Sequence, residues 1–295
     1  MHFRRYDILS DFHNVYKFLN RIYDRRTLNG YLLPEFWEYA HYHSMFDYHH
    51  AHHMGLWEEN GQLVAVCVYE MELGQAFLAA DPEHFYLLPE QLDWAEREIA
   101  INTDDDGRKL GVWTTTPEMA KRTLLKSRDY EIVYREKVRI KDYPVGPSTR
   151  SLPAGFRLIT GGQIDYRKYT ECLYLGFNHK GPLPTSEATA HAKYLTAPHA
   201  SPELTTAVIS PDGTYATALG MWFNPVHHYA YLEPLATIPK FRELGLATVA
   251  LTDAMQRTEN MGATYCFGGG MEFYANLGFA QITERELWER KLTTG

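Results

Sequence analysis

The sequence predicts a mixed α/β (α+β) protein that carries one fold twice, and three observations support this. At 295 residues the chain exceeds the usual size of a single domain. Residues 142–155 hold three prolines, two glycines and two serines, the composition of a linker. On either side the elements follow one order: two helices, a hairpin, a strand or loop, then helix, strand, helix, strand. The expected domains are therefore 1–145 and 156–295, joined by 146–155. The halves have diverged, so the repeat lies in element order rather than in residue identity.

In the first half, Phe12, Val15, Phe18, Leu19 and Ile22 have helical spacing, which predicts a helix over 11–28 capped by Ser10 or Asp11. Pro34 opens a short helix, Glu35 to His41. Two apolar runs flank Asn60-Gly61 and predict a hairpin over 56–69. Helices are expected over 89–100 and 117–126, strands over 110–114 and 131–140, and a turn at Asp104-Asp105-Asp106-Gly107.

The second half repeats the pattern. Residues 163–177 read as a helix, a Gly/Pro-rich loop spans 179–184, and Ser186 caps a short helix to Leu195. Residues 204–209 and 215–222 form a hairpin about Pro211-Asp212-Gly213, followed by a strand over 229–236. Ala247, Ala250, Leu251, Ala254 and Met255 stack on one face of a helix over 244–260. A strand over 263–267, a short helix over 272–277 and a pair of closing strands over 282–292 complete the chain.

Composition excludes several function classes. The net charge is −8, with 17 Lys and Arg against 24 Asp and Glu in residues 1–147 and 12 against 13 in residues 148–295. Neither half has the basic footprint of a nucleic-acid binder. No apolar run reaches membrane-spanning length, and the N-terminus lacks the apolar core of a signal peptide. Cys67, Cys172 and Cys266 are too few and too scattered for a disulfide framework, which favours a reducing compartment and hence the cytoplasm.

The stretch with most chemistry is Arg242-Glu243-Leu244-Gly245-Leu246-Ala247, between an expected strand and an expected helix. The free N–H groups and positive dipole end of a helix start attract phosphate. Gly245 lets the backbone approach a pyrophosphate closely, and Ala247 keeps the next position small. Alone, such a turn reads first as an ordinary strand–helix connection.

Its context distinguishes it. Residues 235–247, Leu-Ala-Thr-Ile-Pro-Lys-Phe-Arg-Glu-Leu-Gly-Leu-Ala, resemble the signature of the GNAT superfamily of acyl-CoA-dependent N-acetyltransferases: a strand, Pro, then [Gln/Arg]-x-x-Gly-x-[Gly/Ala]. Phe273-Tyr274-x-x-Leu277-Gly278-Phe279 resembles that family's F-Y-x-x-x-G-F segment. The likeness covers residues 204–292. The whole chain resembles the tandem arrangement in which the N-terminal copy is degenerate, each copy a mostly antiparallel twisted sheet flanked by helices.

The resemblance implies roles position by position. The backbone of Leu235, Ala236 and Thr237 would lie beside the pantetheine arm and hold the thioester carbonyl. Arg242, with the amides of Glu243, Leu244, Gly245, Leu246, Ala247 and Thr248, would cradle the pyrophosphate of acetyl-CoA, the co-substrate. Tyr274 would protonate the departing thiolate. Glu233 is the candidate general base for an amine, directly or through water, since strand alternation puts it on one face with Tyr231 and Leu235. Position 231, where some members carry the base, is a tyrosine. Gly268-Gly269-Gly270 stands where many members have Asn or Ser, and Cys266 reads as a small buried residue rather than a nucleophile.

The corresponding first-half helix begins Leu88-Pro89-Glu90-Gln91-Leu92-Asp93, with no cradle and two carboxylates that repel phosphate, so residues 1–145 are expected to bind no CoA. Six histidines between His41 and His53 lack a closed four-ligand pattern, and no metal is expected. They read otherwise as a loop rich in aromatics, or as part of a pocket for an acidic or phosphorylated acceptor. The expected function is acetyl transfer to a small-molecule amine or a peptide amine, by a monomer acting as a pseudo-dimer or by a homodimer, with no nucleic-acid or membrane partner. The rival reading is a non-catalytic acyl-CoA-binding or regulatory module.

Overall fold

The computed structural model describes residues 1–104 and 107–292; Asp105 and Asp106 of the expected turn lie outside the described residues. Two compact units emerge. Unit 1 comprises Met1–His41, Met45–Val138 and the chain from Gln281 onward, and unit 2 comprises Tyr42–Ser44 and Arg139–Ala280. The division differs from the boundary expected at the linker because the closing strands are not where chain order suggests.

Unit 1 runs β1 (His2–Arg5), α1 (Ile8–Arg21), α2 (Pro34–Tyr42), β2 (Gly55–Glu59), β3 (Gln62–Val68), β4 (Gln75–Ala80), α3 (Leu88–Glu98), β5 (Ile101–Asn102), β6 (Arg108–Thr115) and α4 (Met119–Ser127). Asp7 caps α1 by accepting from Leu9 N, so the helix starts earlier than expected. Asp11 is instead buried and salt-bridged to Arg4. Asn60 and Gly61 both take left-handed φ, as a two-residue hairpin turn requires. The Ala-rich β4 escaped sequence reading; its burial on both faces removes the alternation that marks a strand. Strands pair β1-β2-β3-β4 antiparallel and β4-β6 parallel.

The chain then enters β7 (Glu131–Asp142), part of unit 1 to Val138 and of unit 2 from Arg139. Unit 2 continues with β8 (Arg157–Thr160), α5 (Tyr166–Gly176), β9 (Thr206–Ile209), β10 (Tyr215–Asn224), β11 (Tyr229–Thr237), α6 (Leu246–Asn260), β12 (Tyr265–Gly268) and α7 (Glu272–Asn276). The helix expected from Ser186 is two 3-10 turns, Thr185–Glu187 and Ala190–Thr196. Strands pair in the order β8-β9-β10-β11-β12, and residues 139–142 of β7 pair antiparallel with β12. Apolar residues of α6 pack on one face of this sheet and those of α5 on the other.

The expected pair of closing strands is one strand, β13 (Ala280–Leu292), whose residues 285–292 pair with β6 of unit 1. Residues 156–295 alone would thus lack the β7 residues that pair with β12 and would leave β13 without its β6 partner. The proline-rich stretch is also no free linker. Tyr143 N donates to Thr264 O, the Tyr143 hydroxyl meets Thr258 Oγ1 at 2.8 Å, and Gln256 Nε2 donates to Gly146 O at 2.8 Å.

In each unit one pair of neighbouring strands is parallel and then forks. In unit 1 the pairing ends at Phe77 and Trp113, while both strands run on. The segment Leu28–Tyr31 packs on both strands there. Its four residues all have positive φ, between 49° and 76°. Gly30 N donates to Glu118 Oε2 at 2.8 Å, and Thr115 Oγ1 donates to Thr27 O. Glu118 also accepts from Thr115 N and pairs with buried Lys121 at 2.6 Å. A Cβ on Gly30 would lie 2.7 Å from Trp113 O. The chain itself fills this fork.

Gly30→Ala tests that packing against Gly61→Ala, a left-handed glycine with nothing within 4 Å of an added Cβ. The expected cost at Gly61 is roughly 1 kcal/mol from backbone conformation, and at Gly30 about 2–4 kcal/mol because a backbone carbonyl must also move. Urea unfolding followed by fluorescence measures both, and equal losses would count against a filled fork.

Candidate functional site

The equivalent fork in unit 2 is open. Parallel pairing of β11 with β12 ends at Tyr231 and Phe267. Beyond it β11 continues to Thr237, pairing only with β10. One edge of residues 235–237 therefore has backbone groups without a strand partner, the kind of groups that seek a polar ligand.

That edge borders a cavity of about 710 Å³, within the ordinary range for ligand sites. Gly176, Phe177 and Asn178 at the end of α5, residues 241–243 and 245–248 of the turn, Arg150, and Met271, Phe273 and Tyr274 complete its lining. The turn combines left-handed Glu243 (φ 67°) and Gly245 (φ 77°) with the start of α6. Alternating handedness turns successive N–H groups toward one side, as in anion-binding nests. Among the described residues, no backbone acceptor takes the amides of 243–248; the first intrahelical bond is Val249 N to Gly245 O. Nine of the ten residues expected to hold the donor line this cavity; Leu244 is exposed and does not. Arg242 is among the nine but is engaged differently. Its guanidinium donates to Thr237 O at 3.1 Å, Gly176 O at 2.8 Å and Asn178 Oδ1 at 2.9 Å, tying the end of β11 to the end of α5.

Tyr274 lines the opposite part of the same cavity and is buried. The triple glycine explains how it fits. A Cβ on Gly269 would lie 2.6 Å from Tyr274 Cε2, and one on Gly268 would lie 2.8 Å from the Phe279 ring and 2.9 Å from the Tyr274 ring. The glycines make room for the aromatic ring. Two β7 residues hold the short helix that carries it. Buried Arg139 donates to Gly270 O and pairs with Glu272 at 3.0 Å, and Lys141 Nζ donates to Leu277 O at 2.9 Å. Sequence reading placed these residues in the first domain and assigned them no part in the site.

Glu233 does not share a face with Leu235. Leu219 faces Leu235 and Met221 faces Leu232, so Gly220 alone opposes both Glu233 and Pro234. This bulge reverses the parity of the strand. Ala230, Leu232 and Leu235 pack toward α6, whereas Ala236 packs toward α5. Gly220 is needed at the crossing, since a Cβ there would lie 2.7 Å from Glu233 O. Glu233 lines a second, small cavity of about 30 Å³ with Tyr166, Tyr169, His191 and Trp222, on the α5 side. Burial pushes the His191 imidazole down to about pKa 3, so it is neutral at ordinary pH.

Among the described residues no three His, Cys, Asp or Glu side chains converge in a way that could hold an ion. His41 is buried against Trp37, meets Tyr6 OH at 3.0 Å, and is held neutral by burial at about pKa 3. Cys266 is buried, and burial raises its thiol pKa. No described helix is long and apolar enough to cross a membrane.

No protein-family model and no curated protein matches the chain. Solved structures do. A tandem GNAT protein from the clavulanic acid biosynthesis pathway aligns over 100% of this chain and 99% of its own, at 12% identity and a TM-score of 0.66. A GCN5-related N-acetyltransferase from Sphaerobacter thermophilus covers 100% and 96% at 13% identity and 0.64. Saccharomyces cerevisiae N-myristoyltransferase with bound myristoyl-CoA covers 99% of this chain and 79% of its own at 15% identity and 0.57. The chain has the tandem GNAT fold.

The fit between Gly269 and Tyr274 is testable by a double-mutant cycle. Gly269→Ala is expected to destabilise by about 1–3 kcal/mol in the native background and by much less beside Tyr274→Ala. Equal losses in both backgrounds would show that the ring does not occupy that space.

Proposed function

We propose that the protein transfers an acetyl group from acetyl-CoA to an amine, both bound together, and that unit 2 carries the site. The observation that carries this reading is the open fork. The free β11 edge, the amides of the 243–248 turn and Tyr274 all border one cavity. Backbone at Leu235, Ala236 and Thr237 would accompany the pantetheine arm, and the turn amides would bind the pyrophosphate. Acetyl-CoA supplies the activated acetyl thioester. The filled fork of unit 1, and the absence of a glycine turn before α3, support a single donor site per chain.

The residues divide the proton work. Amides of the β11 edge would stabilise negative charge developing on the thioester oxygen. As the C–N bond forms and the C–S bond breaks, Tyr274 would give its proton to the sulfur. A tyrosine of ordinary pKa near 10 is a workable acid toward a thiolate. Glu233 would take the proton of the amine, directly or through water. His191 beside Glu233 is neutral and adds no positive charge to that cavity, which suits a cationic or neutral amine. Three buried free thiols fit a cytoplasmic setting.

Thiol release from acetyl-CoA across a panel of primary amines tests this. Tyr274→Phe is expected to lower kcat about 100-fold while leaving CoA affinity nearly unchanged, and Glu233→Gln to lower kcat/KM for the amine by about 10- to 100-fold. Tight CoA binding without turnover on any amine would instead support the non-catalytic acyl-CoA-binding module.

A further inference from the structure

The signature arginine has its guanidinium committed to two carbonyls and an amide side chain, so the donor cavity needs its free positive charge from elsewhere. The cavity lining contains one other cation, Arg150, and one anion, Glu243. Arg150 lies in the stretch that composition marks as linker. The structure makes that stretch a strap bound along α6. Buried Val145 joins the apolar core on that helix, Val145 N meets Glu259 Oε2 at 3.3 Å, and Gln256 holds Gly146 O. Ser148 Oγ then closes a tight turn, donating to Arg150 O at 2.8 Å and accepting from Arg150 N at 3.3 Å. The strap thus runs from the C-terminal end of α6 to its N-terminal turn.

There the arginine stem covers Gly245. A Cβ on Gly245 would lie 3.2 Å from Arg150 Cγ, 3.3 Å from its Cβ and 3.5 Å from its Cδ. The guanidinium makes no hydrogen bond or ion pair among the described residues, whereas Arg242 makes three. An arginine with a pinned stem and a free head, beside six amides without backbone acceptors, suits a phosphate group.

We propose that Arg150 is a phosphate ligand of the donor site, reaching over the Gly245 turn to bind a phosphate of coenzyme A. The inference rests on reading the cavity as the CoA site, and it extends that site beyond the sequence signature into the strap. Arg150 positions the donor and takes no part in proton transfer. It also makes the site prefer a nucleotide-bearing thioester over a bare pantetheine thioester.

The test is calorimetric binding to the full chain of CoA, dephospho-CoA (without the 3′-phosphate) and pantetheine, for wild type, Arg150→Ala and Arg150→Lys. Because Arg150 is exposed, both variants should keep the wild-type Tm. Arg150→Ala is expected to weaken CoA about tenfold or more, with partial recovery in Arg150→Lys and no change for pantetheine. A parallel loss with dephospho-CoA assigns the contact to the diphosphate, and a loss with CoA alone assigns it to the 3′-phosphate. An equal loss with pantetheine, or no loss with CoA, overturns the proposal. If wild type binds none of the three, the CoA reading itself fails, and the proposal falls with it.

Discussion

The fork between two parallel strands is the constraint on which the rest of this structure depends. A strand that leaves its neighbour exposes N–H and C=O groups that need partners. The two units answer differently. In unit 1 the chain supplies the partner, a left-handed run at 28–31 whose glycine fits against the Trp113 carbonyl. Backbone there is strained, and the buried Glu118–Lys121 pair with its hydrogen bonds helps hold it. In unit 2 no such segment enters among the described residues, and the fork opens into a cavity. The difference between the copies is thus physical: the same fork is filled in one and open in the other.

Around the open fork, space is made by glycines and rigidity is supplied from outside the signature. Gly268 and Gly269 accommodate Tyr274 and Phe279. Gly176 allows the end of α5 to approach Ala236, since a Cβ there would lie 2.7 Å from that residue's Cβ. Arg242 then locks α5 to β11. A five-residue helix such as α7 has little stability of its own. Its orientation depends on Arg139 and Lys141 at its two ends.

How far the sequence could be read follows from the range of the interactions. The strand–turn–helix of residues 229–260 was legible because its signals are local: an apolar strand, Pro239, Gly245 and a stripe of small apolar residues on α6. The hairpins about Asn60-Gly61 and Asp212-Gly213 were legible for the same reason. The destination of β13 was not, since pairing with β6 joins residues about 180 positions apart and leaves no periodic trace. Nor was the commitment of Arg242, which is decided by carbonyls at Gly176 and Thr237. The strap looked like a linker because Pro, Gly and Ser mark irregular backbone, and irregular backbone can still be firmly attached.

The bulge at Gly220 bears most directly on mechanism. Without it, alternation would place Glu233 beside Leu235, with any base on the face that packs toward α6. One extra residue in β11 turns Glu233 to the α5 face and leaves Leu235 on the other, with the free edge of 235–237 between them. In the proposed reaction, an amine held by Glu233 would then reach the thioester from one side of the strand while the donor's phosphates lie at the start of α6. In that reaction the nucleophile must approach the reacting carbon from a different direction from the one in which the thiolate leaves, and a strand of strict alternation would crowd the two onto one face. The glycine whose missing Cβ permits the bulge is therefore as much a part of the proposed chemistry as the carboxylate it redirects.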